Sequence, residues 1–115
     1  MANAAIFIGW NRPSIGREQQ ANEVFQKSLE YYGKLQTDGR IESFEPVILS
    51  SHGGDLNGFI LLRGDAEKLA EIKRAEAFVD IIIEAEYCVD GFGHVDAYIG
   101  DGLMDVISRW QKLFS

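Results

Sequence analysis

Hydrophobic and polar residues divide this chain into short apolar runs and long amphipathic stretches. The run AAIFIGW at Ala4–Trp10 is β-branched and aromatic, and Asn11-Arg12-Pro13-Ser14 breaks it as a turn, which predicts a short buried strand. Over residues 17–36, Ala21, Val24, Phe25, Leu29, Tyr32 and Leu35 return every three or four positions with charged residues between them, as in an amphipathic helix. Gly39 follows where a helix end favours left-handed backbone. Residues 41–50 predict a second strand. Its Pro46 cannot donate a ladder hydrogen bond, so the strand belongs at a sheet edge or carries a bulge near Glu45. Turn residues over 51–57 and the run GFILLR over 58–63 complete a hairpin. A helix is predicted from Asp65, a good N-cap, through Leu69, Ile72, Phe78 and Ile82 to about Glu86. A kink near Arg74 is compatible with the β-branched residues over 79–83. Residues 94–99 form the fourth strand, and a final helix carries Leu103, Val106, Ile107, Trp110, Leu113 and Phe114 on a single stripe with Asp101 as cap.

This order is that of the ferredoxin-like split βαβ, an α+β fold with a four-stranded antiparallel sheet, two long helices on one face and here a C-terminal helix. The opposite face of such a sheet is normally polar in a monomer. Strands one and three depart from that rule: Ile6, Ile8 and Trp10 back onto Ala5, Phe7 and Gly9, and Ile60 and Leu62 onto Phe59 and Leu61. Both faces therefore call for cover. Four strands about 4.8 Å apart and about 17 Å long expose roughly 320 Å2, no more than many monomers tolerate, so area alone does not force a dimer. The terminal stripe with Trp110 adds a second surface suited to a partner.

AAIFIGW, GFILLRGDAEKL and HVDAYIG, in this order, resemble the dimeric α/β-barrel superfamily, ferredoxin-like domains whose sheets pack face to face. The resemblance is one of topology and covers nearly the whole chain. It implies a homodimer. That superfamily includes cofactor-free monooxygenases, haem-degrading enzymes and small isomerases, so the resemblance assigns no single chemistry.

A chain of 115 residues, 46% of them hydrophobic, fits one domain over 1–115 with its own core. The lone Cys88 can form no internal disulfide. Eighteen acidic residues against eleven basic ones give a formal charge of -7, and no Lys or Arg falls between Glu76 and Asp105. Neither a nucleic acid nor an anionic membrane is an expected partner. The first thirteen residues lack a basic start, and their apolar stretch is too short for a signal core, so a cytoplasmic location is expected.

His94, Asp96 and Tyr98 alternate with Val95, Ala97 and Ile99. If the apolar set faces the helices, the polar set points into the bare face, where a partner would enclose a candidate catalytic group: His94 as acid/base, Asp96 orienting it, Tyr98 donating to substrate. The alternative is a hydrogen-bonded network that specifies the dimer. Trp10, Asn11, Arg63 and His52 are candidate ligand-binding residues at strand ends and in the hairpin, each with a plainer role as interface anchor, turn residue or ion-pair partner. His52, His94 and Asp96 could form a two-imidazole, one-carboxylate metal set, but no spacing compels it, and no metal or cofactor is expected. Glu76, Asp80 and Glu84 read as a solvated helical stripe. Two functions remain: a homodimeric domain that binds a small molecule between sheet faces or serves as an accessory module, and a cofactor-independent monooxygenase or isomerase.

Overall fold

The elements follow one another as β1 (Ala4–Trp10), α1 (Glu18–Thr37), β2 (Ser43–Ile48), β3 (Gly58–Gly64), α2 (Ala66–Arg74), α3 (Glu76–Cys88), β4 (Gly93–Ala97) and α4 (Gly100–Phe114). They are seen in a computed structural model that describes residues 2–114. The strands form one antiparallel sheet ordered β2-β3-β1-β4, which is the ferredoxin-like topology.

β1 lies between β3 and β4, so its alternation sets both faces of the sheet. Ile6 stands opposite Leu62 and Ile8 opposite Ile60. These four residues and Trp10 join Tyr32 and Leu35 of α1, Ile72 of α2 and Phe78 of α3 in the core. Gly58 pairs with Trp10, and a Cβ there would come within 2.8 Å of the indole ring, so glycine makes room for it. The other phase brings Phe7, Phe59, Leu61 and Val95 to the face that α1, α2 and α3 leave uncovered. There the Phe7 and Phe59 rings stack with centroids 5.2 Å apart, and Arg63 meets Glu45 at 2.8 Å.

β2 is an edge strand, as Pro46 requires, and it pairs with β3 one residue to one from Ser43–Arg63 to Ile48–Gly58, so the edge solution is used and not the bulge. β4 is the other edge and ends at Ala97, which leaves Tyr98 and Ile99 outside the ladder.

The helix expected over 65–86 with a kink near Arg74 is broken there into two helices. Asp65 caps α2 as predicted, accepting from the N–H groups of Glu67 and Lys68 at 3.2 Å. Ala75 is extended, with ψ 138°, and separates α2 from α3. The break corrects a phase error. α2 buries Leu69 and Ile72, whereas α3 buries Phe78, Ile81, Ala85 and Cys88. Six residues from Ile72 to Phe78 are not a whole number of turns at about 3.6 residues each, so an unbroken helix would swing Phe78 away from the sheet.

Phe78 is 1% exposed and belongs to the core cluster. Phe78→Ala should lower unfolding free energy by about 3–5 kcal/mol in urea titration. His94→Ala, removing an exposed ring, should cost less than about 1 kcal/mol.

Candidate functional site

A cavity of about 230 Å3 lies between the sheet and the helices. Ile8, Trp10 and Ile60 form its sheet wall, Ala21, Phe25, Ser28 and Tyr32 come from α1, and Ile81, Ala85 and Cys88 from α3. Asn57, Ile48 and Phe92 come from the segments at the end of the sheet where β1 finishes. The amphipathic stripe of α1 puts the small Ala21 and Ser28 against this space, while Trp10 and Phe25 meet edge to face with centroids 5.8 Å apart. Small side chains beside large flat ones leave the gap.

The lining is mostly apolar and carries few polar groups. Ser28 donates its hydroxyl hydrogen to the Val24 carbonyl at 2.8 Å, which leaves its oxygen free to accept. Trp10 contributes an indole, Tyr32 a phenol, and Asn22 and Asn57 each an amide. Glu18, at the start of α1, is the one charged residue of the lining, and its carboxylate accepts from the Gly16 N–H at 2.9 Å. Burial pushes the Tyr32 phenol well above its ordinary pKa, with the neighbouring Tyr31 adding to the rise. It is therefore a neutral donor at physiological pH. Burial likewise raises the Cys88 thiol; Arg17 opposes the rise, and Glu84 and Glu23 reinforce it.

The residues singled out from the sequence do not converge on this cavity. Trp10 lines it. His94 and Asp96, expected on the bare face, pair with Ile8 and Ile6 and so share the helix-facing side. The His94 ring meets Phe78 edge-on with centroids 5.3 Å apart, and Asp96 accepts from Lys73 of α2 at 2.6 Å. Val95 and Ala97, expected to face the helices, share the uncovered face with Phe7 and Ala5. An edge strand permits this inversion, because its polar residues keep contact with water and with a helix lysine even on the core side. Tyr98 lies past the strand end, where it shares a groove with Asp96 and Lys73 but not with His94.

The other candidates go to separate places. Asn11 donates its backbone N–H to the Asp90 carbonyl at 2.8 Å and packs its side chain against Gly91, tying the β1–α1 loop to the segment before β4. Arg63 pairs with Glu45 on the open face. His52 donates from Nε2 to the Leu56 carbonyl at 2.9 Å while Nδ1 accepts from the Gly54 N–H at 3.2 Å, so both ring nitrogens serve the hairpin turn. Among the described residues, His, Cys, Asp and Glu side chains nowhere gather in threes as a metal site needs. Glu84 of the acidic stripe takes Lys27 of α1 at 2.7 Å. Among the described residues no helix is long and apolar enough to cross a membrane.

Tyr32 and Asn57 were overlooked because one counts as an apolar helix position and the other as a turn residue. The available signal was chemical: a tyrosine inside an apolar stripe brings a hydroxyl that seeks a partner.

No protein-family profile matches the sequence, and no curated protein matches it either. Solved structures do resemble it. A dimeric ferredoxin-like protein of unknown function from Bacteroides fragilis shares 10% identity, with a TM-score of 0.63 over 84% of this chain and 95% of that one. The hydroxynitrile lyase of Passiflora edulis shares 11% identity, with a TM-score of 0.64 over 88% and 97%. SnoaB, a cofactor-independent oxygenase from Streptomyces nogalater, shares 13% identity, with a TM-score of 0.55 over 86% and 95%. The fold they share with this chain is ferredoxin-like. At these identities the likeness shows the fold alone.

The position of Tyr32 has a pH consequence. Its folded pKa is raised above 10.0, so the folded chain keeps a proton that the unfolded chain loses. That stabilisation is complete below about pH 10 and is lost as pH rises through the folded pKa. Urea midpoints followed from pH 9 to pH 11 should fall with pH, and Tyr32→Phe should flatten the fall.

Proposed function

We propose that the chain works as a homodimer whose open sheet faces pack together into an α/β barrel, and that each subunit holds a small neutral molecule in the cavity between its sheet and α1 and α3. The observation that carries the ligand reading is the cavity of about 230 Å3, apolar in most of its lining, with Trp10, Tyr32 and Asn57 as neutral polar groups. This volume is below the roughly 300–1,000 Å3 usual for drug-sized ligands, so one or two fused rings suit it. On this reading the ligand sits behind the sheet, against α1 and α3, and not between two sheets.

The dimer reading is supported by Phe7, Phe59, Leu61 and Val95 on a face that no helix covers, and by solved structures of like fold described as dimeric. Cofactor-independent chemistry is the second reading. A protonated Tyr32 could polarise a ligand oxygen, and SnoaB and the Passiflora lyase are enzymes built on a like fold. His94, Asp96 and Tyr98 stand outside the cavity, so any such chemistry would fall to its polar lining, Tyr32 with Trp10, Asn57, Asn22, Ser28, Glu18 and Cys88.

Two measurements test these statements. Light scattering should give twice the chain mass of 12.9 kDa, and Leu61→Glu, which sets a charge beside Glu45 on the open face, should give a monomer of intact secondary structure. A Leu61→Glu chain that stays dimeric rules out the face-to-face arrangement. In a Trp110→Phe background, 2-naphthol should quench Trp10 fluorescence saturably, and Ala21→Phe, which fills the cavity, should weaken that binding by about tenfold or more. Equal binding by Ala21→Phe would place the probe elsewhere.

A further inference from the structure

The last twenty described residues, Val95 to Phe114, are built unlike the rest of the chain. Eight of the thirteen large hydrophobic residues exposed among the described residues lie from Val95 onward. Six of them, Leu103, Met104, Ile107, Trp110, Leu113 and Phe114, belong to α4, which buries no residue at all. Packing joins α1 to α3 and α2 to α3 and β1, and leaves α4 without a substantial neighbour. The helix therefore projects. The radius of gyration is 15.5 Å, against about 13 Å for a domain of this length, and the longest extent is 50 Å.

α4 is also held in that direction. Gly102 lies so close to the chain before β1 that a Cβ there would come within 2.6 Å of the Asn3 carbonyl oxygen. Only residues 98 and 99 separate β4 from α4, and Leu103 donates its N–H to the Ile99 carbonyl at 3.2 Å. An anchored base and a two-residue linker keep the helix from folding back over its own sheet.

We infer that α4 is an exchanged arm, packing its apolar stripe on a second copy of this chain. The inference rests on the homodimer proposed above and adds which segment completes it. Area favours a second copy. The open sheet face offers roughly 320 Å2, well short of the about 800 Å2 per partner that a stable dimer buries. A 15-residue helix is about 22 Å long and about 10 Å wide, and an exchanged one counts twice, because each chain gives an arm and receives one. Both contributions together bring the footprint per chain close to the standard size. Charge points the same way. Asp101 and Asp105 balance Arg109 and Lys112 on the opposite side of the helix, so the arm approaches an acidic partner without repulsion. A membrane-surface helix would carry an excess of Lys and Arg there.

The test uses the full chain in three arms. Ile107→Glu combined with Trp110→Glu should raise the dimer dissociation constant by about 30-fold or more in sedimentation equilibrium, since buried aromatic anchors dominate such interfaces. A nitroxide on Ser108→Cys in a Cys88→Ala background, mixed with unlabelled-spin, nitrogen-15-labelled chains, should broaden amides of the nitrogen-15 chain. An unchanged dissociation constant, with broadening only when spin and isotope share a chain, overturns the exchange and leaves the dimer standing. A chain that is monomeric throughout removes the dimer and the arm together. A monomer that cosediments with phosphatidylglycerol vesicles gives α4 to a membrane surface and also overturns the inference.

Discussion

The period-two alternation of β1 is the constraint on which the remaining structure depends. β1 is paired on both sides, so its phase is imposed on β3 and β4 alike. With Ile6, Ile8 and Trp10 turned toward the helices, Ile60 and Leu62 must follow, and Phe7, Phe59 and Leu61 are left facing away. A slip of one residue would exchange the two sets. The cavity and the open face are thus two results of a single register, and a residue that serves one cannot serve the other.

That constraint also explains what could be read from the sequence. The strands, the long first helix, the edge position of Pro46 and the two-sided apolarity of β1 and β3 all follow from local pattern, and the structure has them. The face of β4 did not. Its polar and apolar residues alternate equally well in either phase, and only pairing of His94 with Ile8 and Asp96 with Ile6 decides between them. Because β4 is an edge, exposure of Val95 on one side and partial cover of Asp96 by Lys73 on the other cost less than they would in a central strand. Hydropathy was a poor guide where neither side is dry. The separation of α2 from α3 at Ala75 was legible as a kink near Arg74, and the full break was not, because the apolar positions continue through it and only their phase changes.

The candidate site was legible in one residue. Trp10 drew notice as an amphipathic ring at a strand end, whereas the groups that complete the cavity come from a helix stripe, a hairpin and a second helix far apart in sequence. No local spacing encodes such a convergence. The histidines attracted notice for their chemistry and proved to be occupied locally, His52 within its turn and His94 against Phe78. Acid and base groups are therefore sparse around the cavity, whose lining is mostly aliphatic and aromatic.

Pro46 has a consequence beyond the placing of β2. A sheet with two free edges can grow by adding strands from other molecules, and such growth has no natural end. On β2 the proline withholds an N–H from any strand that would dock alongside, with Glu45 exposed beside it. Association along that border is discouraged, while the broad apolar surface stays available. The chain is thereby steered away from open-ended fibres and toward closed assemblies with a fixed number of copies.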